Sequence, residues 1–194
     1  MPALKIRKVG RGEVLKKDVS GIQRLLKQHG NLFDPPYTPQ RIQTEVDQTR
    51  RYRTAVVAEH NGRIVGFARY GHTPYRIEQL RQFGKAALGQ ERHGYVFSIL
   101  RNPHQQYNGL GEKLVRKSLV LMRSMKYPNG KPLSEVVMTC HEANKGTLGI
   151  GAKLGFTALG RVPAQGRLTH TETVFLHLPL RRAIKPRRTK PRRI

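Results

Sequence analysis

Residues 99–111, Ile-Leu-Arg-Asn-Pro-His-Gln-Gln-Tyr-Asn-Gly-Leu-Gly, constrain this chain more than any other stretch. The β-prone run Tyr95 to Leu100 ends at a loop containing Pro103, and Leu110 to Met125 then carries an apolar stripe at helical spacing. A strand that passes through a glycine-lined turn into a helix leaves the first N–H groups of that helix without partners and aimed at one point. The positive end of the helix dipole adds to them, so the turn is a seat for a phosphate-bearing ligand. Gly109 and Gly111 let such a ligand approach the backbone where a Cβ would obstruct it.

Two common phosphate motifs are excluded. The P-loop places Lys-Ser or Lys-Thr after its last glycine, whereas Gly111 is followed by Glu112 and Lys113. The dinucleotide fingerprint needs a third small residue at 114, and Leu114 stands there.

The neighbouring segments narrow the choice. Thr54–Glu59 and Ile64–Tyr70 flank Asn61-Gly62, the strongest short hairpin signal that a sequence offers. Downstream, Val136 to Cys140 reads as a strand. Asn144 begins a short helix ending at Lys153-Leu154-Gly155-Phe156, and two β-prone stretches follow at Thr157–Val162 and Thr171–Leu178. In this order, and with Gln106-x-x-Gly109-x-Gly111 as its centre, the chain resembles the GNAT superfamily of acyl-CoA-dependent N-acyltransferases over roughly residues 3–178.

The resemblance implies an α/β fold: a mixed, mostly antiparallel central sheet of about six to seven strands flanked by about four helices. One domain would span residues 1–180, with an insertion at about 71–93 containing a short helix from about Tyr75 to Leu88. Two further helices are expected before the hairpin. Asp18 or Ser20 caps the first, with Val19, Ile22, Leu25 and Leu26 on one face and Gly30 as its stop; Thr38-Pro39 starts the second, after a Pro35-Pro36 loop.

The resemblance also implies acetyl-CoA as co-substrate, bound between the Ile99 strand and the strand ending at Cys140. Backbone groups of Ile99, Leu100 and Arg101 would pair with the pantetheine arm. Gln106, Tyr107, Asn108, Gly109, Leu110, Gly111 and Glu112 would surround the diphosphate, and Asn144 would meet the pantetheine or the acceptor. Three departures from the family pattern stand out. Gly151 occupies the place of a tyrosine that often protonates the leaving thiolate, Thr139 that of a glutamate base, and Arg101 that of an apolar residue before the loop proline. His141, Glu142 and Tyr95 are the candidate catalytic replacements, with Ser98 near them. Each also has a purely structural reading, as a strand-end or packing residue. Cys140 lacks any sequence sign of activation, and eight scattered histidines with one cysteine give no metal-ligand spacing.

Charge supplies the second constraint. Across 194 residues Lys and Arg outnumber Asp and Glu 37 to 12, a formal net charge of +25. The segment 181–194 holds Arg181, Arg182, Lys185, Arg187, Arg188, Lys190, Arg192 and Arg193 and no acid, while Pro186 and Pro191 oppose a helix. Removing those eight charges still leaves +17 on the body. Such a field suits phosphate-bearing partners, so nucleic acid or a nucleic-acid-rich assembly is the expected partner, bound without sequence preference. An N-acetyltransferase acting on a protein near nucleic acid is the leading functional expectation. The alternative is a basic structural or nucleic-acid-binding component of a ribonucleoprotein or DNA-containing particle, with the same fold and little catalysis.

No run of eighteen apolar residues occurs, so no spanning helix is expected. A lone cysteine fits a reducing intracellular compartment such as the cytoplasm. The basic stretch Met1–Lys17 admits an organellar import reading, but the period-two alternation of Leu4 to Val9 favours a first strand.

Overall fold

Asn61 and Gly62 both take positive φ, 51° and 70°, which is what a two-residue hairpin turn matching the strand twist requires. That turn joins β2 (Ala55–His60) to β3 (Arg63–His72) and organises the first half of the sheet. The computed structural model describes residues 3–29, 37–72, 93–102, 107–126, 130–163 and 172–180. Among them stand β1 (Lys5–Lys8), α1 (Gly12–His29), α2 (Pro39–Tyr52), β2, β3, β4 (His93–Arg101), α3 (Leu110–Met122), β5 (Glu135–His141), α4 (Lys145–Lys153), β6 (Thr157–Pro163) and β7 (Glu172–Pro179).

The seven strands form one sheet in the order β1-β2-β3-β4-β5-β7-β6. Every neighbouring pair is antiparallel except β4–β5. The expected mixed, mostly antiparallel sheet with four helices is therefore the one observed. Helices cover both faces. Ile22, Leu25 and Leu26 of α1, with Ile42 and Val46 of α2, pack on Val57 and Phe67. On the other face Leu110, Leu114, Leu119 and Met122 of α3 pack on Val56, Val65, Ala68 and Val96. Among the described residues no helix is long and apolar enough to cross a membrane.

Two local expectations change. Asp18 does not cap α1, which begins six residues earlier at Gly12. Its carboxylate is 1% exposed, accepts two hydrogen bonds of 2.8 Å from Arg7 and one of 2.9 Å from the Gly10 amide, and ties the helix to the sheet. Asp18 and Glu59 between them hold the Arg7 guanidinium. A buried carboxylate with an arginine and an amide waiting is better satisfied there than at a helix end. The long helix stops at Met122 rather than Met125, and the chain then turns through a short bridge between Lys126 and Pro132. Thr38 caps α2 as expected, accepting from the Arg41 amide at 3.2 Å, with Pro39 in the first turn. The Gly30 stop, the Pro35-Pro36 loop, the helix at 75–88, Gln106 and the basic segment 181–194 lie outside the described residues.

Candidate active site

One extra residue shapes the centre of the sheet. Ser98 pairs with Arg69 and Val96 with Tyr70, so Phe97 is a bulge with no opposite number on β3. The bulge reverses the facing of β4. Val96 packs on the α3 side, whereas after Phe97 Leu100 packs on the α1 side and Ile99 on the α3 side. It also sits where β4 leaves β5. The parallel ladder runs through four pairs, His93↔Glu135 to Val96↔Met138, and stops. Beyond it β4 continues to Arg101 on β3 alone, and β5 continues to His141 on β7 alone. Bulges bend a strand and end pairing in this way. The result is a gap between Phe97–Arg101 and Thr139–His141 whose β4 edge keeps hydrogen-bonding capacity with no strand beside it among the described residues.

The N-terminus of α3 stands at the open end of that gap. Gly109 is its N-cap residue at φ 70°, a left-handed conformation that glycine adopts freely. The Leu110 amide donates to the Tyr107 carbonyl at 3.1 Å, so Leu110 contributes its buried side chain to the core rather than a free N–H. The amides of Asn108, Gly109, Gly111 and Glu112 have no backbone acceptor among the described residues. Space around Gly109 is open, with no atom within 4 Å of a built Cβ. Tyr107 packs by its ring on His60 at the hairpin end, 5.5 Å between centroids, which fixes the loop against the sheet. The Glu112 carboxylate is turned to Arg116 at 2.8 Å and is held below the usual carboxylate range by it. Four amides without a backbone acceptor among the described residues, beside a strand edge with no partner strand among them, fit an elongated ligand with a diphosphate at one end.

The opposite wall is α4. Asn144 is its N-cap, its side-chain oxygen accepting from the Thr147 amide at 3.0 Å; the amide NH2 keeps its donors. Gly151 is buried against the sheet, and a Cβ there would meet Leu176 Cδ1 at 2.8 Å. Close helix–sheet approach is thus the physical reason for glycine where a tyrosine is common in the family that the sequence resembles. A Cβ on Gly111 would meet Ile150 Cδ1 at 2.7 Å, so Ile150 borders the gap from the α4 side.

The candidate catalytic residues are distributed as follows. Tyr95 is 5% exposed; its hydroxyl pairs with the Thr139 hydroxyl, bridging β4 and β5 where the ladder ends, and its ring packs edge-on to Phe97 at 4.7 Å. His141 closes β5, with Nδ1 accepting from the Ala143 amide at 3.2 Å. Glu142 accepts from the Glu172 amide at 3.2 Å and faces Arg161, which also pairs with Glu172 at 3.1 Å. Its carboxylate therefore ties the end of β5 to β6 and β7. Cys140 faces the α3 side, 8% exposed, and burial pushes its thiol up to about 11, which disfavours thiolate chemistry.

A polar cluster beneath α2 lies beside these groups. The Tyr37 hydroxyl meets the Ser98 hydroxyl at 2.9 Å, and burial raises the Tyr37 phenol above its ordinary range. Arg69 donates to Glu45 at 2.8 Å and to Gln48, and its guanidinium lies 4.0 Å from the Phe97 ring. Ser98 was legible as a strand residue near the loop. For Arg69 the sequence carries one signal, a lone arginine inside the apolar run Ile64–Tyr70.

Comparison with known proteins agrees with this geometry. The sequence pattern described as the acetyltransferase (GNAT) family matches residues 23–156. A Salmonella typhimurium protein described as a candidate acetyltransferase, solved with its cofactor acetyl-CoA, superposes with a TM-score of 0.65 at 21% identity, covering 95% of this chain and 98% of that one. A ribosomal-protein-alanine N-acetyltransferase from Brucella melitensis gives 0.64 at 15% identity, covering 91% and 100%. The NatC complex bound to Gag peptide and CoA gives 0.67 at 16% identity, covering 92% and 99%. No curated protein sequence matches.

Proposed function

This chain belongs to the acetyltransferase (GNAT) family, and on that premise we propose that it moves an acetyl group from acetyl-CoA to a primary amine, on a protein that works beside nucleic acid. The observation that carries the proposal is the end of the β4–β5 ladder at Val96↔Met138, with amides at the start of α3 that have no backbone acceptor among the described residues at the open end of the resulting gap. Bound acetyl-CoA supplies the thioester carbonyl that an amine attacks and the thiolate that leaves.

Everything else falls to the chain. The amides of Asn108, Gly109, Gly111 and Glu112 hold the diphosphate, and the helix dipole favours its charge. The β4 edge from Phe97 to Arg101 lines up the extended arm, as a neighbouring strand would, and so fixes the reacting carbon between the two strands. An unpaired backbone N–H on that edge meets the carbonyl oxygen as charge develops. With Nδ1 of His141 accepting from Ala143, the neutral ring carries its proton on Nε2. His141 therefore offers a hydrogen bond from Nε2 to the departing thiolate rather than serving as a base, and the proton that the amine loses passes through water to the thiolate. Tyr95, buried and paired with Thr139, acts as a positioning residue that holds β4 to β5 at the last rungs before the bulge parts them. A thiolate leaves readily at neutral pH, so a general acid in the place of Gly151 is not required.

The acceptor's setting is argued from charge. All nine carboxylate residues among the described ones are engaged within the chain: eight pair with Arg7, Lys16, Arg69, Arg116, Arg161 or His177, and Asp47 accepts from Gln43. The formal +25 is what remains after every carboxylate is counted, and none of the nine described ones is left unengaged to attract a basic partner.

Acetyl-CoA at a hundred times its dissociation constant is expected to stabilise the fold by about 2.7 kcal/mol, read as a rise in Tm. Gly109→Asp, which puts a carboxylate and a strained φ in the seat, abolishes the rise. No shift with acetyl-CoA or longer acyl-CoAs ends the proposal. Binding without turnover on any amine-bearing protein or peptide returns the alternative, a basic scaffold that keeps its coenzyme seat.

A further inference from the structure

Strand directions place the coenzyme gap at one pole of the molecule, where β4 ends and α3 begins. The opposite pole gathers the end of β1, the starts of β2, β4 and β5, the ends of β3 and β7, and the C-termini of α2 and α3. Arg50, Arg51 and Arg53 lie there at the α2 terminus, Arg11 follows β1, and Arg123 and Lys126 follow α3. All are exposed save Arg53, which is half-buried. Glu135 at this pole is engaged by His177, and Glu13, two residues after Arg11 in the first turn of α1, is engaged by Lys16. Tyr52 stands between Arg51 and Arg53 in sequence with 59% of its surface exposed, and the Arg51 guanidinium lies 5.3 Å from its ring.

We infer that this pole is a docking surface for single-stranded nucleic acid, separate from the coenzyme gap. Six strands side by side at about 4.8 Å spacing give it a length of about 24 Å, room for several successive phosphates. Guanidinium groups supply the phosphate contacts, and an exposed aromatic ring set among cations is the arrangement on which an unpaired base stacks. Leu180 donates its amide to the Ser134 carbonyl at 2.7 Å, so the chain passes into the basic segment 181–194 from this pole. This refines the nucleic-acid part of the proposed function and is independent of acyl transfer.

The test uses the full chain with a labelled oligo-uridine strand, a duplex of equal length, and vesicles containing phosphatidylserine, titrated over a range of salt. Arg50→Gln with Arg51→Gln is expected to lower the salt slope for the single strand by about 1.4, from about 0.7 per lost phosphate contact. Lys5→Gln with Lys27→Gln removes equal charge at the other pole and is expected to leave the slope unchanged. Tyr52→Ala is expected to weaken single-strand binding about tenfold and duplex binding far less. Melting curves confirm folding of each variant, and the stabilisation by acetyl-CoA is expected to stay the same in all of them. Equal slope losses at both poles, or an unaffected Tyr52→Ala, overturn the pole while leaving the chain a nucleic-acid binder. Failure of the unaltered chain to bind either nucleic acid overturns both readings, and binding to vesicles alone assigns the charge to a membrane surface.

Discussion

Helices α3 and α4 face each other across the gap between β4 and β5 and are built on opposite plans. In α3, Leu110, Leu114, Val115, Leu119 and Met122 are buried in the largest core cluster, so the amides at its N-terminus are held by the whole sheet. In α4 Gly151 is the one buried position, and Leu148, Ile150 and Leu154 only border the core. The seat for a charged group is thus anchored on the rigid helix, while the wall opposite gains its place from a cap and from a glycine that permits close approach. Rigid support belongs where hydrogen-bond geometry decides affinity. The α4 wall has few apolar contacts to resist local opening, the property of a segment that yields when a ligand enters.

Substitutions can break or sharpen this contrast. Leu114→Ala on α3 is expected to cost about 2–5 kcal/mol, as for other fully buried leucines, while Leu148→Ala on α4 costs less than half of that. Chemical denaturation of the two variants measures the difference, and equal losses would remove the distinction. Gly151→Tyr, which restores the side chain common in the family, is expected to destabilise by about 1–3 kcal/mol through overpacking against Leu176 and to leave turnover no higher. Asn144→Ala is expected to cost about 1 kcal/mol by removing the α4 cap. Rescue of that loss by Asn144→Ser identifies capping as its cause. Gly149→Ala is expected to stabilise by about 0.5–1 kcal/mol, because its Cβ meets nothing within 4 Å and a helix interior favours alanine. A loss of acetyl-CoA affinity with that gain would show that the open space belongs to the ligand.

Much of this was legible in the sequence, and the reasons differ by residue. The hairpin was fixed by Asn61-Gly62 because few residues accept two successive positive φ angles. The start of α3 was fixed by the passage from β-prone run to glycines to apolar stripe. Asp18 misled, since an aspartate before an apolar stripe reads as a cap, and only the approach of β1 reveals Arg7 as its partner. The bulge at Phe97 left no mark at all. It is set by the register between two strands rather than by the residue itself, and the split of β4 from β5 follows from it. The cluster of Arg69, Glu45 and Gln48 joins residues more than twenty positions apart in sequence, beyond the reach of any local pattern.

Helix α3 has thirteen residues, and its axis therefore measures about 20 Å from first turn to last. It acts as a fixed ruler between the proposed diphosphate seat and the end from which Arg123 and Lys126 emerge. About six residues of extended chain cover that length in a straight line, and a path around the body needs somewhat more. On the proposed reading the acyl group would lie along β4 toward Phe97, nearer to that end than the diphosphate does, so an amine on a supple tail within this reach would arrive at it while its owner stayed tethered there. Reach, more than local sequence around the lysine or terminus, would then select what is modified.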